Sequence, residues 1–473
     1  MSSRIEKIII APSIGIARLG NSPDEYFLGP ENIGHAPRPP GGFKDKLGRI
    51  KRQGARFRIY GLDDTGAAVA ELTVDDADIA WSVHLANKKA SFFEFHGRFG
   101  PKNIPRNKDE TDRASLEIDP GPRTISGRAK RGAEFQFDIG KFRSVSVSLG
   151  ELVTDEDGRL IVLGGVGHSA CIPDGGLISN YANNNGWHDD TSDGPVTATV
   201  TLKDGRVLTA EPSRVLCVPP KFTPELENIV TLREVMEYTW YGDDAVPTTI
   251  SFTNDVYPMF KRLGGYPWVN ALAFRGHGTG KGGDFFSAAG FAALASNTDA
   301  SRPMRQTVFS RIRDPNLSLD SQAAIDQANF RFMPALAGDN NGPTDGEPTQ
   351  WLRLRPSQYA ILKSWAEGKF VNDWKGVPAQ APNLNDLPVA ERPAALTGAA
   401  LTPCVGGAFY PGIEMTYIAE DKSLFSEPFR LRGDIPPGGI TCFMACPWQA
   451  DFYECNTAWW PIARPDDVVT ESE

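Results

Sequence analysis

The chain has 473 residues, 40% of them hydrophobic and 10% aromatic, and 49 Lys and Arg against 59 Asp and Glu give it a formal net charge of −10. That length exceeds one comfortable core, so two or three domains or layers are expected, and the composition excludes a disordered chain. The acidic balance, without any Lys/Arg-rich tract, argues against nucleic acid as a partner.

The N-terminus, MSSRIEKIIIAPSIGIARLG, carries charges at Arg4, Glu6 and Lys7 before a three-residue aliphatic run. A signal peptide needs a longer apolar stretch, and no segment approaches the roughly 18 residues of a membrane span. The expectation is a cytoplasmic protein with no membrane partner, where free thiols persist; export by an unconventional route stays open.

Residues 1–215 read as strands. ARFRIYGL-DDTG-AAVAELT, LGELVT-DEDG-RLIVLGG and VTATVTL-KDG-RVLTA are three hairpin patterns with a Gly-containing turn each. Between them, residues 29–54 and 97–135 are rich in Gly, Pro and Asn and read as long loops, which often carry binding or oligomer contacts. From about 221 to 400 the pattern turns helical. TPELENIVTLREVMEYTW is expected to start at a Thr223 cap with Pro224 in the first position, and RPSQYAILKSWAEG to run from Pro356 to a stop at Gly368. SAAGFAALAS, RQTVFSRIRD and DSQAAIDQANFRF are further helix candidates. The last 70 or so residues return to irregular structure with short strands. The expected fold is α+β, with a β-rich domain over 1–215 and a helical region plus C-terminal segment over 216–473. No internal repeat or low-complexity tract is present.

Several motifs invite sharper readings. RGHGTGKGGD at 275–284 imitates a phosphate loop but places Arg275 at the first required Gly and Gly282 at the magnesium-binding position, so a flexible loop is expected. GWHDDTSDGPV packs His188, Asp189, Asp190 and Asp193 beside Trp187; such loops hold calcium or form Asx turns, and the turn reading is preferred. Glu94 and His96 fall on one face of a strand and read as a surface or structural pair.

The densest signal is C-terminal. Of six cysteines, Cys404, Cys442, Cys446 and Cys455 share residues 404–460 with Trp448, Trp459 and Trp460. Reduced cysteines in a packed core, a four-thiolate zinc site and disulfides are the ordinary readings. Zinc favours two closely spaced Cys pairs, and only Cys442/Cys446 has that form, so no metal is expected. The remaining reading is a cofactor made from the protein's own side chains.

Six blocks in order, among them IIIAPSIGIARLGNSPDEYFLGPE, WSVHLANKKASFFEF, NNNGWHDDTSDGPV, CVGGAFYPGIE and PWQADFYEC, resemble the quinoprotein amino-acid oxidases that include lysine epsilon-oxidase and glycine oxidase. The resemblance implies a cysteine tryptophylquinone, with Cys404 as the thioether cysteine and Trp448 as the modified indole; Trp459 or Trp460 is the fallback. Such a bond between residues 44 apart would close a loop and stabilise the fold by about 4 kcal/mol on the chain-entropy model. The resemblance also implies O2-dependent oxidation of a primary amine to an aldehyde or keto acid, with ammonia and hydrogen peroxide released. A flavoprotein maturation partner is implied as well, and a homo-oligomer is expected. Asp451 and Glu414 are the candidates for the base that removes the carbon-bound proton. Trp187, His188 and Tyr410 are candidate substrate-binding residues, His188 because relatives place an aromatic there.

Three features depart from that pattern. TGAALTPC lacks the acid that relatives carry shortly before the cysteine, all six histidines lie at or before residue 277, and little chain follows PWQADF. A member that keeps the fold without the quinone, as a binding or structural protein, is therefore the alternative.

Overall fold

The computed structural model describes residues 4–97, 101–318, 321–336, 351–378, 383–407 and 411–452. Tyr410, Cys455, Trp459 and Trp460 lie outside the described residues.

The N-terminal half is built on a 12-stranded sheet, and the strand-rich, then helical, then irregular order expected of an α+β chain is what the elements follow. Its long strands, Arg52–Leu62 and Ser192–Leu202, are bridged by Ile14–Arg18 and Ser213–Val218. Ile14–Arg18 and Ser213–Val218 pair in parallel, Arg214 to Ile14 through Val218 to Arg18, within an otherwise mainly antiparallel sheet. Every residue of these two strands is buried, which matches their near-continuous apolar sequence. All three hairpins form: Ile59 pairs with Leu72, Thr154 with Leu160 and Thr201 with Val207.

One apolar cluster fills the inside of this sheet around Phe57, Trp81, Phe137 and Val215. A second lies on the other side and joins Ile14, Ile16 and Leu216 to the helices through Phe252, Phe260, Trp365 and Leu401. Cys404 belongs to the second cluster and Cys446 to the first, so the C-terminal segment reaches both faces.

The helix Pro356–Glu367 starts and stops as expected; Gly368 ends it at φ 83, a left-handed conformation that glycine adopts without strain. The preceding one differs from expectation. It covers only Leu232–Tyr241, capped by a reciprocal Thr231/Glu234 box, and Thr223 caps nothing. The cause is tertiary: Val230 O accepts Gly406 N and Cys404 O accepts Leu232 N, so the stretch before the helix pairs with the cysteine-bearing segment. The 97–135 stretch is also more ordered than a loop, because Arg123–Ser126 adds an edge strand next to Ala77–Val83. Among the described residues no helix is long and apolar enough to cross a membrane.

Candidate active site

Cys404 sits just past the helix Arg392–Leu401, and its thiol donates to Ala400 O at 3.3 Å. Arg18, the last residue of its strand, reaches over it. One Nη2 lies 2.6 Å from Glu414 Oε1 and 3.7 Å from Cys404 Sγ, while Nη1 donates to Pro219 O at 3.1 Å. Both members of the Arg18–Glu414 pair are buried. Lys221 completes the group, donating from Nζ to Pro403 O at 2.9 Å. Burial, reinforced by the Glu414 charge, pushes the Cys404 thiol far above its ordinary range and keeps it neutral, although Arg18 and Lys221 act the other way. Burial and the Arg18 charge push the Lys221 amine down to about 8.

Trp448 opens the short helical turn Trp448–Phe452. Its placement is fixed from the N-terminal half. Asp189 Oδ2 accepts the Trp448 N–H at 2.7 Å and the Lys89 ammonium at 2.9 Å, in a pair with no exposure on either side. Asp189 Oδ1 accepts from Asn87 and from Thr191. The indole's Cζ2 edge approaches Gly167, whose φ is +81; a Cβ there would stand 4.0 Å from Trp448 Cζ2.

The rest of the segment is pinned in the same way. Asp193 Oδ1 accepts Ile440 N at 3.1 Å and Thr441 N at 2.7 Å, while Oδ2 takes Arg214 Nε at 2.8 Å. Buried Arg106 donates to Met444 O at 2.9 Å, and Cys446 N donates to Ala182 O at 3.0 Å. GWHDDTSDGPV keeps an expected Asx-type turn, with Asp189 Oδ1 accepting Thr191 N at 3.0 Å, but the turn is buried. Asp190 accepts His168 N, while Asp189 and Asp193 receive backbone N–H groups from the 440–448 segment. Nothing in the spacing of those acids announces such partners, because they lie about 250 residues away.

The other candidates divide. Asp451 is buried, and its carboxyl, though it accepts the Gly412 N–H, is raised well above the ordinary carboxylate range by burial. Glu414, two residues after Gly412, is instead committed to Arg18. His188 is buried and stacks on Phe142 at 4.7 Å between ring centroids, with His168 at 6.4 Å. Burial, aided by His168, lowers its pKa. Trp187 is half-buried, and its carbonyl accepts the Cys446 thiol at 3.1 Å. Glu94 and His96 form the expected pair at 3.0 Å. The described cysteines are all free thiols, and no cluster of three metal-ligating side chains occurs among the described residues.

This arrangement matches known proteins along nearly its whole length. Residues 11–217 match the family model described as L-Lysine epsilon oxidase N-terminal, and residues 334–471 match the L-lysine epsilon oxidase C-terminal domain. The L-lysine 6-oxidase of Marinomonas mediterranea is 31% identical over 94% of this chain and 71% of its own. The chain belongs to the L-lysine epsilon-oxidase family. The crystal structure of the L-Lys epsilon-oxidase from Marinomonas mediterranea superposes with a TM-score of 0.74 at 27% identity, covering 95% of this chain and 75% of that one. The same enzyme's Schiff base intermediate with L-Lys gives 0.73 at 28% identity, with the same coverage. Membership supports an oxidoreductase acting on an amine with oxygen as acceptor, and the family suggests a quinone cofactor.

Proposed function

We propose that this protein oxidises the primary amine of an amino acid or related metabolite with O2, using a cysteine tryptophylquinone built from Cys404 and Trp448. Aldehyde or keto acid, ammonia and hydrogen peroxide are the products. The observation that carries the assignment is the pairing of family membership with the Trp448 site, whose Cζ2 edge approaches Gly167. That edge of the indole, where the group would carry an oxygen, faces a residue that brings no side chain to it. Cys404 fits its half equally well, as a buried neutral thiol without a disulfide partner.

When formed, the group supplies an electrophilic carbonyl and a two-electron sink. The chain's own residues do the rest. Asp189, itself paired with Lys89, holds the Trp448 backbone. Asp451 is the acid–base residue: burial holds its carboxyl well above the ordinary carboxylate range, and such a carboxyl is a better proton acceptor from a carbon acid than an ordinary one. Glu414 is the positioning residue, because Arg18 holds its charge and both flank the Cys404 sulfur. The acid missing before Cys404 thus has Glu414 in its place at the thiol. A flavoprotein partner that installs the quinone oxygens, and a homo-oligomeric assembly, complete the proposal.

The test is amine-dependent peroxide release by protein produced with its flavoprotein. Cys404→Ala and Trp448→Phe should abolish it, and Cys217→Ala should retain it. Turnover persisting in both site variants would refute the assignment.

A further inference from the structure

A cavity of about 550 Å³ opens in the helical region between Tyr257–Leu263 and Arg302–Phe309, and Cys404, Glu414, Trp448 and Asp451 are all absent from its wall. That wall is drawn largely from residues 229–333, and residues 218–333 lie between the two segments that match the family models. Family membership therefore does not account for it. Its volume falls within the range, roughly 300–1,000 Å³, of pockets that enclose whole small molecules.

Two features of the wall point to one kind of ligand. The first is apolar: Met259, Phe260, Leu263, Phe285, Val308 and Ile312 line the space, and Phe330 beside them is 60% exposed. A ligand that covers this surface removes apolar area from water. The second feature is charge. The ionisable side chains of the wall are His277, Arg311 and Arg331, and no acidic side chain is among them. A parallel bridge between Ile312 and Met333 sets the two arginine-bearing segments side by side, with Met333 N donating to Arg311 O at 2.6 Å. Neither guanidinium is engaged in an ion pair or side-chain hydrogen bond among the described residues. His277 Nδ1 is bonded to Gly283 O at 2.9 Å, and its Nε2 is buried without a partner. Protonated, that nitrogen is a further donor, and an anion beside it favours the protonated form.

We propose that this cavity binds a free single-chain carboxylate of the fatty-acid type, its chain against the apolar wall and its head at Arg311, Arg331 and His277. A guanidinium presents parallel N–H donors that match the two oxygens of a carboxylate. A small polar anion would leave the apolar wall wet, and a neutral hydrocarbon would leave the cations without a counter-charge. An amphiphilic anion satisfies both. The site goes beyond the oxidase reading and does not rest on it.

Binding is testable on the full chain, matured or not. Calorimetry with decanoate below its micelle concentration should show saturable binding, about tenfold or more tighter than that of the neutral decanamide, with acetate not binding. Arg311→Met combined with Arg331→Met, both at exposed side chains, should weaken decanoate about tenfold and leave decanamide unchanged. Val308→Trp, which fills the cavity, should abolish binding of both. Absence of saturable decanoate binding, or equal binding of decanoate and decanamide by the wild-type chain, would overturn the proposal, and neither measurement needs a variant. So would unchanged affinity for decanoate in the double arginine variant, or retained binding in Val308→Trp. Arginine-dependent binding to phosphatidylglycerol vesicles without binding of free decanoate would also overturn it, in favour of a lipid surface.

Discussion

Asp189 Oδ2 joins the Trp448 main-chain N–H at 2.7 Å to the Lys89 ammonium at 2.9 Å, so one carboxylate oxygen ties the indole-bearing turn to the short strand Trp187–Asp189 of the N-terminal half. Buried pairs of this kind contribute little net stability, but losing one partner strands the other in a low-dielectric site. Their effect here is on position: the backbone of Trp448 cannot move without unpairing a buried charge.

Asp189→Asn keeps the shape and an acceptor but leaves Lys89 uncompensated. It should cost about 3–5 kcal/mol in unfolding free energy, read from urea denaturation. A loss below about 1 kcal/mol would mean that Lys89 finds another counter-charge.

Arg18 and Glu414 should behave as a coupled pair. Arg18→Met and Glu414→Gln each remove half of a buried ion pair, whereas the double variant removes both charges. The double variant should therefore be less destabilised than the sum of the singles by more than about 1 kcal/mol. Additive losses would show that the two groups act independently.

Asp190 supplies a pH signature. Its Oδ2 accepts His168 N at 3.0 Å, and burial raises its pKa from 3.8 to about 7. The folded state thus holds a proton that the unfolded state releases between those values. The group's contribution is full below pH 3.8 and is lost as pH rises through about 7, at up to about 1.4 kcal/mol per pH unit. Asp190→Asn should gain stability relative to wild type between pH 5 and 8 and show no gain below pH 4. A pH-independent difference in melting temperature would contradict this.

Much of the fold could be read from the chain because its signals are local. The hairpins needed only alternating residues around a Gly-containing turn, and Pro356 and Gly368 marked a helix at both ends. Thr223-Pro224 was as good a start signal, yet the helix begins eight residues later, because residues 230–232 pair with 404–406. The site behaved likewise. Cys404, Trp448, Glu414 and Asp451 stood out by residue type, whereas Arg18, Lys89 and Lys221 did not. Each is an inconspicuous cation in an ordinary strand or loop, and only folding sets it against a partner 100 or more residues away.

The Thr231 cap can be checked directly. Thr231→Ala removes the acceptor for Glu234 N and should cost about 1 kcal/mol, whereas Thr223→Ala should cost almost nothing. Equal losses would restore the earlier helix start.

The central claim is the Cys404–Trp448 quinone, and intact mass with peptide mapping of protein co-produced with its flavoprotein tests it most directly. The expected result is a gain of two oxygens and a loss of four hydrogens, mapped to a single peptide pair linked through Cys404 and Trp448. An amine-oxidising protein in which Cys404 remains alkylatable and Trp448 unmodified would contradict it.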